Sequence, residues 1–175
     1  MNNLGEARIY VGTYAKYNNG SIFGKWFDLS DFSDKEGFYN ACRELHSDEE
    51  DPELMFQDYE NIPDSLIGES WLAPNIFEII KAVSKLTKTY QEAFNVWCNY
   101  TSLNIVSEDI DELITSFEDD YMGAYEDEEY FAYKLVEDCY DLPGFAKTYF
   151  DYEKFARDLF ISDYRFEDGH VFIRG

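Results

Sequence analysis

Between residues 108 and 141 the chain carries fourteen acidic side chains and a single base, Lys134. A second block, 28–69, sets fourteen acids against Lys35 and Arg43. The remaining blocks are near neutral: +2 over 1–27, +1 over 70–107 and −1 over 142–175. Nearly all of the net charge of −23 therefore lies in two stretches. Like charges at this density repel one another and oppose compaction. A fold must spread them over its surface and offset the repulsion with a core. The material for a core is present, with 15 Phe, 15 Tyr and 3 Trp among 45% hydrophobic residues. A disordered acidic chain has few such aromatics. The 175 residues suffice for one compact domain or two to three very small ones.

The periodicity predicts an α+β fold of three small subdomains at 1–61, 62–106 and 107–175, and the blocked charge fits an elongated chain of them, since extension relieves repulsion. In the first, ARIYVGTY and SIFGKWF read as strands around the turn signal Asn18-Asn19-Gly20. Ser33 with Glu36 fits a capping box ahead of a helix whose apolar face is Phe38, Ala41, Cys42 and Leu45. LMFQDY supplies a third strand, giving a three-stranded antiparallel sheet plus helix. In the middle segment Pro74 marks a helix start, and Ile79, Val83, Leu86, Tyr90, Phe94 and Trp97 step by threes and fours, with a break near Thr87–Thr89.

The last segment opens with Ser107 as N-cap and Ile110, Leu113, Ile114 and Phe117 as an apolar stripe. A second helix over 127–140 turns Phe131, Leu135, Cys139 and Leu142 inward and ends at Pro143-Gly144. Asp151 caps a third, bearing Tyr152, Phe155 and Leu159. The tail YRFEDGHVFIR alternates around Asp168-Gly169, a two-residue hairpin signal.

The residues exclude several chemistries. A calcium loop beginning at Asp31 has Glu36 where the sixth-position glycine belongs, and Gly37 one residue late. Residues 119–130 place Tyr121 and Gly123 at ligand positions. Diffuse divalent binding is expected, but no dedicated metal site. His46 and His170, the only histidines, lack partners at ligand spacing and read as structural or exposed. A catalytic carboxylate pair has no specificity among thirty-seven acids. No cofactor motif is present. Cys42, Cys98 and Cys139 match no zinc or redox spacing; with no signal-peptide pattern, they suggest a reducing cytoplasm. No apolar run reaches membrane-spanning length, and the acidic surface repels free nucleic acid and anionic lipid.

Acids on helix N-termini favour the dipole, yet a solvated helix normally mixes signs because like charges at i,i+4 repel. A surface imitating a polyanion gives the excess a use. Duplex DNA carries one charge per about 1.7 Å, so thirty-seven carboxylates match about 60 Å of it and the net charge about 40 Å. An acidic adaptor or chaperone for another basic DNA-binding protein, such as a histone-like one, and a weak calcium-binding structural module are the alternatives.

Five stretches carry a resemblance to a known family: RIYVGTYAKYNNGSIFGKWFDLSDF, DPELMFQDYE, EDDYMGAYEDEEYFAYKLVEDCYDLP, YFDYEKFARDLFISDY and DGHVFIR. Together they resemble the ArdA antirestriction proteins from about residue 7 to 174. Leu135, Val136, Glu137 and Asp138 resemble the region associated with an antirestriction motif. The resemblance implies an elongated, dimeric mimic of bent B-DNA from a conjugative plasmid or transposon. Such a protein occupies the DNA-binding groove of Type I restriction–modification enzymes, formed by their specificity and methyltransferase subunits. Neither catalysis nor a cofactor is implied.

Under this reading the expected mimic surface comprises two acid groups. The first is Asp48, Glu49, Glu50, Asp51, Glu53, Asp58 and Glu60. The second is Asp109, Asp111, Glu112, Glu118, Asp119, Asp120, Glu126, Asp127, Glu128, Glu129, Glu137, Asp138 and Asp141. Tyr121, Tyr125, Tyr130 and Tyr133 are expected as core or shape-setting residues rather than as contacts. The near-neutral 142–175 segment is the expected dimer contact.

Overall fold

The structure, a computed structural model, describes residues 3–174. The chain divides into two compact units, Met1–Thr115 and Ser116–Gly175. The architecture is α+β, with three small antiparallel sheets and eight α-helices among the described residues.

In the first unit, β1 (Arg8–Thr13) lies between β2 (Lys25–Asp28) and β3 (Leu54–Glu60), antiparallel to both. Ile9 and Val11 point into the core, as their alternation dictates. The 18–20 turn signal lies at the end of a short helix, α1 (Tyr14–Asn18), with Gly20 in the left-handed region at φ 79°. The second strand begins later than SIFGKWF suggests. Ile22 and Phe23 precede it and stay exposed, so their β-branched and aromatic character was a misleading strand signal.

Across this sheet packs α2 (Lys35–Leu45), burying Phe38 and Cys42. Its N-cap is Asp34, not Ser33: Asp34 Oδ1 accepts from Gly37 N–H at 2.8 Å. Phe38 is the hub of the core, with the rings of Phe32, Phe27, Phe56 and Phe77 at 5.5, 5.9, 6.1 and 6.2 Å. Phe77 belongs to α3 (Ile76–Val83), so segments 1–61 and 62–106 share this core. The middle segment is not purely helical. A two-stranded hairpin, β4 (Ile67–Gly68) and β5 (Trp71–Leu72), precedes α3, too short to show alternation. The helix itself starts two residues after Pro74, with Asn75 as N-cap. The expected break lies at Ser84–Thr87, where Thr87 caps α4 (Lys88–Trp97) with its Oγ1.

The boundary between units falls within α5 (Ile110–Asp120). Asp109 takes the capping role expected of Ser107, its Oδ1 accepting from Asp111 N–H at 2.9 Å and Glu112 N–H at 3.3 Å. Of the predicted stripe, Leu113 and Phe117 are fully buried, and Ile110 and Ile114 partly so.

The second unit is built on β6 (Tyr121–Ala124), β8 (His170–Ile173) and β7 (Tyr164–Glu167), with β8 central. Asp168 and Gly169 join β7 to β8 with φ of 50° and 84°, the paired positive angles a two-residue hairpin needs. The sequence gives no hint of β6, four residues set between acidic runs and bent by Gly123 at φ 122° where its register slips.

Over the sheet lie α6 (Glu128–Cys139) and α8 (Tyr152–Ser162), packed together. They bury Phe131, Ala132, Val136, Ala156 and Phe160, with Tyr152, Phe155 and Leu159 only partly covered. Leu135 and Leu142 are half-buried, whereas Cys139, expected inward, is exposed. The helix ends at Cys139, and Pro143 instead precedes the short α7 (Gly144–Tyr149), absent from the predicted elements. Asp151 caps α8 as expected, accepting from Lys154 N–H at 2.9 Å.

Phe38 →Ala should cost about 3–5 kcal/mol by leaving a cavity at the centre of the aromatic cluster. Urea unfolding followed by near-UV circular dichroism will read this loss; a cost below about 1 kcal/mol contradicts the hub role.

Candidate interaction surface

The acids stand outside because the apolar periodicities leave them there. In β3, Gln57 is an extra residue: Tyr10 pairs with Asp58 but Val11 with Phe56. This bulge switches the phase, so Phe56 is buried while Asp58 and Glu60 face solvent. In α5, Leu113 and Phe117 point inward, leaving Asp111, Glu112, Glu118 and Asp119 exposed. Helical neighbours three and four apart lie about 5–6 Å from one another at Cβ, comparable to phosphate spacings. In α6, the buried Ala132 and Val136 put Glu129, Tyr133 and Glu137 outward. The 135–138 segment is thereby divided, with Val136 in the core and Glu137 and Asp138 in solvent.

Of the twenty acids expected on the surface, only Glu49 and Asp120 are partly covered. Asp48, Glu50, Asp51, Glu53, Asp109, Glu126, Asp127, Glu128 and Asp141 are exposed with the rest. Fourteen cations cannot neutralise thirty-seven carboxylates. Those present are placed sparingly: Arg8 pairs with Glu60 at 2.7 Å, and Lys134 with Glu137 at 2.8 Å. The Lys134 ion pair holds Glu137 below the usual carboxylate range. Asp64 and Glu69 are further exposed acids that the sequence reading left out.

Lys16 has a different setting. Its ammonium lies 2.8 Å from both Asp48 Oδ1 and Glu49 Oε1 and 3.1 Å from His46 Nδ1. His46 is fully buried, with Nε2 3.3 Å from the Val11 carbonyl, which can only accept. Nε2–H therefore donates to Val11, leaving Nδ1 to accept from Lys16. Thr13 Oγ1 adds a hydrogen bond to Glu49 at 2.7 Å. Among the described residues, only His46, Asp48 and Glu49 bring three metal-type ligand atoms within 4.8 Å. This corrects the expectation that His46 lacks such partners, which arrive through the turn after α2. Lys16 already contacts all three, so the cluster acts as a clasp joining α1 to the acidic turn.

The tyrosines divide unevenly. Tyr121 is buried, with its hydroxyl 3.0 Å from His170 Nδ1, and Tyr125 packs edge-on against Phe131 at 4.9 Å. Tyr130 and Tyr133 are 44% and 39% exposed, which excludes the core from the two roles expected of them and leaves shape-setting. Their spacing to Glu137, by three and then four residues, was the available signal that they share the outer face.

Against family models, the chain matches the one described as antirestriction protein (ArdA) over residues 9–172. The chain belongs to the ArdA antirestriction family. No curated protein matches it significantly. Among the described residues of this ArdA chain, no helix is long and apolar enough to cross a membrane.

Two predictions follow from the local chemistry. Hydrogen bonds from Lys16 lower the carboxyl pKa values of Asp48 and Glu49 from their ordinary 3.8 and 4.5, Thr13 assisting at Glu49. Carboxylates with depressed values stabilise the fold above the ordinary range and lose that contribution as pH falls through the lowered values. Lys16→Met should thus destabilise the first unit at pH 7. The gap from the parent should shrink by pH 3, as measured by urea midpoints; a gap independent of pH contradicts the clasp. Asp127 caps α6, its Oδ1 accepting from Tyr130 N–H at 2.7 Å. Asp127→Ala should cost about 1 kcal/mol in thermal unfolding, whereas Asp127→Asn retains the cap and most of the stability while removing the charge. Equal losses in the two variants would show that the charge, not the cap, matters.

Proposed function

We propose that this ArdA chain inhibits Type I restriction–modification enzymes by occupying, as a mimic of B-form DNA, the groove formed by their specificity and methyltransferase subunits. One observation carries the reading: nearly every acid in the two charged blocks faces solvent, far in excess of the chain's cations. The carboxylates stand in for phosphates and meet the Lys and Arg side chains that hold DNA. Phosphate contacts position a duplex without reading its sequence, so one surface serves enzymes with different recognition sites. Restriction and modification are both blocked, because both need the same DNA-binding core. The protein acts stoichiometrically, not as an enzyme, in the cytoplasm of a cell receiving a plasmid or transposon.

We further propose that segments 1–61, 62–106 and 107–175 act as three successive modules, the first two joined through the core around Phe38, and that two copies associate through 142–175. Support for the dimer comes from that segment's low net charge and from Phe145, Tyr149 and Ile161, which are 79, 74 and 68% exposed.

The test is displacement of labelled DNA from a Type I methyltransferase. DNA should be released at low molar excess at about 50 mM salt, and the inhibitor's own affinity for the enzyme, measured without DNA, should fall as salt rises to about 200 mM. The inhibitor's own melting temperature should rise with salt, because screening relieves its self-repulsion. Those opposite trends separate a polyanion from an ordinary salt-stabilised complex. Absence of displacement at low salt overturns the reading.

A further inference from the structure

A groove of about 340 Å³ opens at the start of α6, lined by Glu126, Asp127, Glu129, Tyr130, Tyr133 and Tyr152. Its size is at the small end of ligand-holding clefts, about 300–1,000 Å³, and admits a single side chain. The three rings are organised relative to one another. Tyr130 and Tyr133 lie nearly parallel, 17° between planes and 6.3 Å between centroids, while Tyr152 meets Tyr133 edge-on at 5.4 Å. Tyr133 is further oriented by donating to Glu137 Oε1 at 3.4 Å.

We infer that this groove binds an arginine side chain of the basic protein surface that the acidic face engages. The inference rests on the polyanion reading and adds a specific contact to it. Carboxylates alone attract any cation. Aromatic faces add a preference for a planar, weakly hydrated guanidinium over a strongly hydrated ammonium. Asp127 commits one oxygen to the helix start, so Glu126 and Glu129, both exposed, are the acids best placed to pair with it. The partial positive charge of the α6 N-terminus, about half a unit, is outweighed by the four consecutive acids 126–129.

The chain's own Lys134 illustrates the attraction. Its ammonium stands 6.0 and 5.7 Å from the Tyr130 and Tyr133 centroids. Glu137 draws it off at 2.8 Å, and Lys134 does not line the groove. The site offers what a phosphate backbone lacks, an aromatic surface beside the negative charge.

The test is an NMR titration of the full chain with N-acetyl-arginine amide, N-acetyl-lysine amide and N-acetyl-citrulline amide at constant ionic strength. Arginine should shift the ring signals of Tyr130, Tyr133 and Tyr152 saturably, lysine should bind about fivefold more weakly, and neutral citrulline should leave the rings unmoved. The double variant Tyr130→Leu/Tyr133→Leu should lose about fivefold in arginine affinity. Tyr130→Phe/Tyr133→Phe retains the rings and should retain binding. Both positions are more than one-third exposed, so the variants keep the fold, which spectral dispersion verifies.

The same variants, assayed for DNA displacement from the methyltransferase, should show the same order. Equal ring shifts with lysine and arginine, or a leucine variant that binds arginine as well as the parent, overturns the site. If DNA is displaced while the rings ignore arginine, the groove is wrong and the polyanion reading stands. If the rings bind arginine but no DNA is displaced, the groove stands and that reading falls.

Discussion

Repulsion between carboxylates is the constraint that the rest of the molecule accommodates. Two acids about 6 Å apart in water repel by about 0.7 kcal/mol, and salt reduces this further. Burying one phenylalanine side chain contributes about 1.5–3 kcal/mol. A single core ring therefore offsets several neighbouring acid pairs. Phe38 in the first unit and Phe131 in the second, each with its shell of aromatic rings, show where that stabilisation resides. The aromatic content and the acidic content are two halves of one design.

The same constraint explains how the few cations are used. Lys16 and Arg174 do not lie scattered among the acids as a neutralising lawn. Lys16 closes the turn after α2, and burial of its stem, which disfavours charge, is outweighed by hydrogen bonds to Asp48 and Glu49 that raise its pKa. Arg174 donates to the carbonyls of Tyr164 at 2.8 Å and Phe160 at 3.1 Å, placing positive charge at the C-terminal end of α8. These two cations close the fold, whereas Arg8 and Lys134 pair with Glu60 and Glu137 on the acidic surface, and most outer carboxylates remain in excess of the cations.

Long periodic features were legible in the sequence. The 3.6-residue step of α2, α4 and α8 and the paired turn residues Asp168-Gly169 each reflect a strong local rule. What escaped was decided by competition between neighbours or by tertiary pairing. Asp34 displaced Ser33 as a cap, and Asp109 displaced Ser107, because either side chain can accept from a helix start and only the chain path selects one. Strand β6 exists because β8 offers it an edge, and no four-residue pattern announces that. The exposure of the acids was readable from composition, but the bulge at Gln57 that turns Asp58 and Glu60 outward was not. Tyr130 and Tyr133 could be read as core or as shape-setting, and the helix decides between the two: with Phe131, Ala132 and Val136 its buried residues among twelve, it has no inner room for them.

Under the proposed function, the exposed rings add a second kind of contact to an acidic surface that would compete with DNA. Point charges alone give long-range attraction and fast encounter, but both are weakened by salt. Contacts that bury a cation against rings depend less on ionic strength, since the attraction acts at short range in a partly desolvated site. A surface combining the two keeps the steering of a polyanion and adds retention that a duplex backbone does not provide. The stretch around Tyr130 and Tyr133 has both elements within one helix. Its sequence, read as charge alone, conceals the second.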